Sequence, residues 1–219
     1  MGPSATHFRR RTLAIAFACF LLTGAAWAER PVLIFGDSLS AAYGMRVDEG
    51  WVTLLAHRLV QEGYDLPVIN ASVSGETTAG GRARIARVLR QHAPGVVVIE
   101  LGANDALRGL PASEIEANLS AIVAAARSAD ARVLIVGTPL PTNYGPRYAD
   151  DVASVYRRVA AAANARLVPS LLADVPIDER NFQTDHLHPV SAVQGRMLDT
   201  VWPALKSILK RPKPRDRGP

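Results

Sequence analysis

The sequence predicts a three-layer α/β fold, a five-stranded parallel sheet covered by helices on both faces. Three observations carry that prediction. Five short apolar runs are rich in β-branched residues, stretches of helical spacing separate them, and each run is nearly continuous rather than alternating. A strand buried on both faces has no polar side, so it reads as an unbroken apolar run. A strict strand–helix repeat then closes as a doubly wound parallel sheet.

The strands are "PVLIFG" at 31–36, "PVINAS" at 67–72, "GVVVIEL" at 95–101, "RVLIVGT" at 132–138 and "ARLVPS" at 165–170. Between the first two, Trp51, Leu54, Leu55 and Leu59 recur at helical spacing and predict a helix near 50–63. Ile85, Val88 and Leu89 mark a second near 77–92, and Ile115, Leu119, Ile122 and Val123 a third near 112–129. "DDVASVYRRVAAAANA" at 150–165 gives a fourth, and 190–209 a fifth.

The ends of the chain have a different character. "HFRRR" is a charged segment, "TLAIAFACFLLTG" an apolar one, and "AAWA" closes with small residues at Ala26 and Ala28. That order predicts a secretory signal peptide over 1–28, a folded domain over 29–209 and a periplasmic or secreted location. The apolar stretch is short for a membrane span, so no stable insertion is expected after cleavage. Cys19 is the only cysteine and lies in the leader, so the mature chain should carry neither thiol nor disulfide.

The whole chain has 25 basic and 20 acidic residues, but the excess is local. Without the leader and the segment from Lys206 onward, 16 basic residues face 19 acidic ones. A nucleic-acid binder spreads basic residues over a folded face with aromatics among them, so that partner class is excluded. "KRPKPRDRGP" at 210–219 reads as a solvated, disordered basic tail.

Doubly wound sheets bind ligands beyond the carboxyl ends of their strands. The chemistry-bearing residues sit there. Ser38 follows the first strand, Gly75 lies in a polar turn after the second, and Asn104 follows the third. "DHLHP", with Asp185 and His188 three residues apart, comes between the fifth strand and the last helix. Alone, Ser38 would read as a turn or cap residue and Gly75 as a turn glycine. Together they supply the nucleophile, base, orienter and backbone donors that hydrolytic acyl transfer requires.

"GDSLS", Gly75, "GANDALRG" and "DHLHP", in that order, resemble the four blocks of the SGNH, or GDSL, hydrolase family. "INASVSGETTAGG", "VVVIELGANDALRG" and "PTNYGPRY" resemble its bacterial thioesterase, lysophospholipase and arylesterase branch, and the similarity spans most of 31–205. The resemblance implies a flavodoxin-like sheet of order 2-1-3-4-5. It implies Ser38 as nucleophile, His188 as general base, Asp185 as the acid that orients it, and an oxyanion hole made by Gly75, Asn104 and the Ser38 N–H. Ser38 is expected at the mouth of a helix, where N–H groups are free.

His186 lacks the block's following proline, so His188 is the expected base. Asp185, His186 and His188 raise the question of a metal, but no further His or Cys cluster completes a site, so metal- and cofactor-independent chemistry is expected. The implied substrates are small acyl or aryl esters, acyl thioesters and lysophospholipids met at a membrane surface. Leu39, Tyr43, Met45, Leu107, Leu110, Leu140 and Pro141 are the expected acyl-pocket residues. A carbohydrate O-acetyl esterase and a non-catalytic binding module are the alternatives.

Overall fold

The structure is a computed structural model that describes residues 30–140 and 142–210. The expected leader, the tail from 211 and Pro141 lie outside the described residues. Five strands form one sheet: β1 (Val32–Gly36), β2 (Val68–Asn70), β3 (Val96–Glu100), β4 (Arg132–Val136) and β5 (Arg166–Val168). Their order is β2-β1-β3-β4-β5 and every pairing is parallel, as expected. The order reverses at β1, so the ends of β1, β2 and β3 open onto one crevice.

Successive residues of a strand face opposite sides, and the two faces here are both apolar. On one side Val32, Ile34, Val96, Val98 and Leu134 pack with α1 (Trp51–Gln61) and α6 (Gln194–Ile208). On the other, Leu33, Phe35, Val97, Ile99 and Ile135 pack with α2 (Thr78–His92), α4 (Ala112–Ser128) and α5 (Pro146–Ala162). That double burial is why β1 and β3 lack alternation: all five residues of each are buried. Truncating one such residue, Leu33→Ala for example, costs about 2–5 kcal/mol through lost transfer energy and the cavity left behind.

The differences from the expected elements are local. The fourth helix begins at Pro146 rather than 150, because proline at the first helical position already has the required φ and needs no N–H partner. The last helix begins at Gln194, after a 3-10 turn over Ser191–Val193. Gln194 is buried there, and its Oε1 accepts the Trp51 N–H at 3.0 Å, so one helix caps the start of another. A short helix, α3 (Ala103–Leu107), was not foreseen.

Candidate active site

The segment after β1 does not open a helix at Ser38. A run of turns occupies 38–44, with Ala42 in the left-handed region at φ 57°, and helical structure resumes only beyond Arg46. The turn nevertheless leaves the Ser38 N–H without a protein acceptor among the described residues. Its side chain meets the loop that precedes α6. His188 Nε2 lies 2.8 Å from Ser38 Oγ, and His188 Nδ1 lies 2.6 Å from Asp185 Oδ2.

Asp185 also builds the loop that holds it. Its Oδ1 accepts the N–H groups of Leu187 at 2.9 Å and His188 at 3.0 Å. Partial burial alone would raise the Asp185 pKa; these N–H bonds and the imidazole outweigh it and hold it down to about 2. The carboxylate therefore stays ionised beside the ring at any physiological pH. The loop is closed by a bridge between Phe182 and Pro189 and by the Gln183 N–H on His188 O at 2.8 Å. Gln183 Nε2 also donates to Tyr43 O at 2.8 Å, and the Tyr43 ring lies 4.4 Å from the His188 ring, centre to centre.

Gly75 has φ +77°, a conformation that a side chain would strain. Its carbonyl accepts Arg108 Nη2 at 3.2 Å, while its N–H has no protein acceptor among the described residues. Asn104 sits in α3, directly after β3. Its Nδ2 donates to Asp37 Oδ2 at 3.1 Å. Its neighbour Asp105 does purely structural work: the carboxylate accepts the Thr78 N–H at 2.8 Å and the Thr78 hydroxyl at 2.6 Å, capping α2.

Ser38, Gly75, Asn104 and His188 share the wall of one cavity of about 660 Å³. Leu39, Tyr43, Leu107 and Leu140 line it as expected. Met45 and Leu110 do not: Met45 is half-buried beyond the turn run, and Leu110 contributes its carbonyl to the Tyr148 hydroxyl at 2.6 Å. The expectation for Pro141 falls outside the described residues. The apolar wall missed by sequence reasoning comes from one loop after β5, with Leu172, Val175, Ile177 and Phe182. The available signal was a cluster of apolar residues at 171–177 with neither helical nor strand period. His186 also lines the cavity, in the left-handed region at φ 58°, but takes no part in the Ser38–His188–Asp185 chain of contacts.

Two buried acids behind Ser38 were not picked out either. Asp37 follows β1 and Glu100 ends β3. Burial pushes Asp37 up to about 6 despite its bonds to the Leu39 N–H and Asn104, and burial together with the Asp37 charge pushes Glu100 well above the carboxylate range. No group of three or more His, Cys, Asp or Glu side chains capable of holding a metal occurs among the described residues.

A parallel sheet whose strand ends, together with the loop before the last helix, bring a hydroxyl, an imidazole–carboxylate pair and N–H donors unpaired among the described residues to one apolar cavity is the arrangement of a GDSL-type hydrolase. The chain belongs to the GDSL-like lipase/acylhydrolase family, which matches residues 34–195. It is 46% identical to the esterase TesA of Pseudomonas aeruginosa over 92% of this chain and the whole of that protein. It is 40% identical to an arylesterase of Vibrio mimicus over 83% of this chain and 91% of that one. With the thioesterase 1/protease 1/lysophospholipase L1 of Escherichia coli the identity is 35%, over 86% of this chain and 89% of the other. A crystal structure of TesA superposes with a TM-score of 0.80 at 47% identity, covering 82% of this chain and 99% of that one. The chain is an ester-hydrolysing enzyme of this fold.

Proposed function

We propose that the protein is an exported serine esterase that cleaves aryl and acyl esters, lysophospholipids and acyl thioesters through an acyl-enzyme on Ser38. The observation that carries this reading is the unbroken relay from Ser38 Oγ through His188 to Asp185, at 2.8 and 2.6 Å, on the wall of an apolar cavity. His188 Nε2 takes the serine proton as Oγ attacks the ester carbonyl. The imidazolium that forms is stabilised by ionised Asp185, and the same proton then passes to the leaving alcohol or thiol. Water repeats the sequence on the acyl-enzyme.

Charge develops on the former carbonyl oxygen. The Ser38 and Gly75 N–H groups and the Asn104 N–H that Asp37 does not engage are the donors for it, and in a low-dielectric cavity each is worth far more than in water. The wall formed by Leu140, Leu172, Val175 and Phe182 suits an acyl chain or an aryl ring, and its apolar character disfavours a carbohydrate O-acetyl substrate. The continuous relay likewise disfavours a non-catalytic module. Export rests on the charged, apolar and small-residue zones of 1–28, and among the described residues no helix is long and apolar enough to cross a membrane.

Steady-state kinetics on p-nitrophenyl acetate, p-nitrophenyl octanoate, a lysophosphatidylcholine and acetylated xylan test the substrate class. The expected result is a higher kcat/KM for octanoate than for acetate, with turnover of the lysophospholipid. A preference for acetylated xylan would overturn it. For export, N-terminal sequencing of the extracytoplasmic protein should begin at Glu29, and a retained Met1 there would contradict the leader.

A further inference from the structure

Glu100 is completely buried at the end of β3, and the relay does not use it. Its carboxyl nevertheless ties three strand ends together. Oε2 accepts the Ser40 hydroxyl at 2.8 Å and lies 3.4 Å from the Asp37 N–H, while Oε1 accepts the Thr138 hydroxyl at 3.1 Å. Gly36, its register partner on β1, makes room for it: a Cβ there would sit 2.8 Å from Glu100 Oε2. Through the Asp37 N–H the Glu100 carboxyl lies directly against Asp37, so the two buried acids are neighbours. Asp37 is equally buried, and its two oxygens accept the Leu39 N–H and Asn104 Nδ2.

Neither acid has a Lys or Arg partner among the described residues. Two ionised carboxylates on neighbouring buried residues, with no cation and no water-facing surface, carry a desolvation and repulsion cost that one bound proton removes. We propose that Glu100 is a positioning residue for the oxyanion hole: it holds one proton shared with Asp37, so that Asp37 stays an acceptor and fixes the Asn104 amide toward the oxygen that becomes negative. The proposal rests on the oxyanion role assigned to Asn104.

A second negative charge directly behind Ser38 would oppose the oxyanion, so the shared proton acts on the transition state as well as on geometry. The elevated affinities of both acids for protons agree with such sharing. The other ionisable groups facing the pair are His188 from the loop before α6 and Tyr156 on α5. Tyr156 is buried, donates to Leu101 O at 3.2 Å and is held neutral, so it neither supplies nor removes the proton. The pair titrates as a unit, with apparent values that belong to both acids.

The test compares Glu100→Gln, Glu100→Ala and Asn104→Ala with the wild-type full chain, measuring kcat, KM and the pH dependence of kcat on a p-nitrophenyl ester, with thermal melts in parallel. Glutamine keeps a neutral donor and an acceptor in the same shape; alanine removes both. Glu100→Ala should lower kcat about hundredfold with KM changed by less than about threefold, in the range of a lost oxyanion contact. Glu100→Gln should recover kcat to within about tenfold of wild type. The wild type should lose kcat on the alkaline side as the pair gives up its last proton, and Glu100→Gln should lack that limb.

An equal loss in the glutamine and alanine variants, or an unchanged alkaline limb in Glu100→Gln, would overturn the proposal. If Asn104→Ala lowers kcat while either of those results holds, the oxyanion reading survives and only the role of Glu100 falls. An Asn104→Ala enzyme with wild-type kcat would remove both. If the alanine variant does not fold, the pH limb of the glutamine variant still decides.

Discussion

Asn104 Nδ2 donates to Asp37 Oδ2 at 3.1 Å, so one N–H of this amide is engaged by a buried acid that follows the same strand as Ser38. An amide held by one N–H has its second aimed by geometry, because the two N–H bonds are fixed in one plane. The amide is thereby oriented before any substrate arrives, which is the condition for a donor that strengthens as charge develops.

Asn104→Ala should therefore lower kcat by about 10²–10³, or roughly 2.7–4 kcal/mol of barrier, and change KM little. The Ser38 and Gly75 N–H groups remain, so a residual rate above background is expected. A change confined to KM in steady-state kinetics would make Asn104 a substrate-positioning residue instead.

The two histidines of "DHLHP" separate cleanly. His188→Ala removes the only imidazole among the described residues within hydrogen-bond distance of Ser38 Oγ and should abolish nearly all turnover. His186→Ala should reduce kcat far less, because His186 touches the cavity and not the relay. Reversed severities would move the base by two residues.

How much of this was legible beforehand follows from what each feature depends on. The parallel sheet and the residues at its strand ends were readable because strand ends are local, whereas the sheet order came only with the family resemblance that the four blocks carry. Asp37 and Glu100 were not singled out, because one acid after an apolar strand looks like a solvated turn until the register puts Gly36 opposite Glu100. Leu172, Val175 and Phe182 were missed for a similar reason: a loop folded back over a cleft has no period to read. Met45 and Leu110 were misplaced because nearness in sequence to Ser38 and Asn104 says nothing of direction once the chain turns at Ala42 and Arg108.

The loop after β5 should set chain-length preference. Val175 is buried on the cavity wall, so Val175→Trp shortens the apolar space. Each methylene denied burial forfeits about 0.8 kcal/mol. The ratio of kcat/KM for p-nitrophenyl octanoate over acetate should fall at least about tenfold; an unchanged ratio would place the acyl chain elsewhere.

The pH dependence of stability carries the sign of Asp37. Within the coupled pair it forms with Glu100, burial raises its folded pKa to about 6, above the unfolded 3.8, so between these values the folded pair keeps a proton that the unfolded chain has lost. Its stabilising contribution is complete below that window, falls as pH rises through it and levels off above. Asp185 has the opposite sign: its contribution is present above the unfolded 3.8 and is lost as pH falls toward about 2. Thermal melts from pH 3.5 to 7 should show Asp37→Asn losing less stability than wild type between about 4 and 6. Parallel curves would show that Asp37 does not titrate there.

The central claim is that Ser38 is the nucleophile, and intact-protein mass spectrometry after treatment with a fluorophosphonate tests it most directly. Wild type should gain one covalent phosphonate, located on Ser38 by peptide mapping, and lose turnover in proportion. Ser38→Ala should fold, gain no mass and show no esterase activity above background. Undiminished labelling or wild-type turnover in Ser38→Ala would contradict the account.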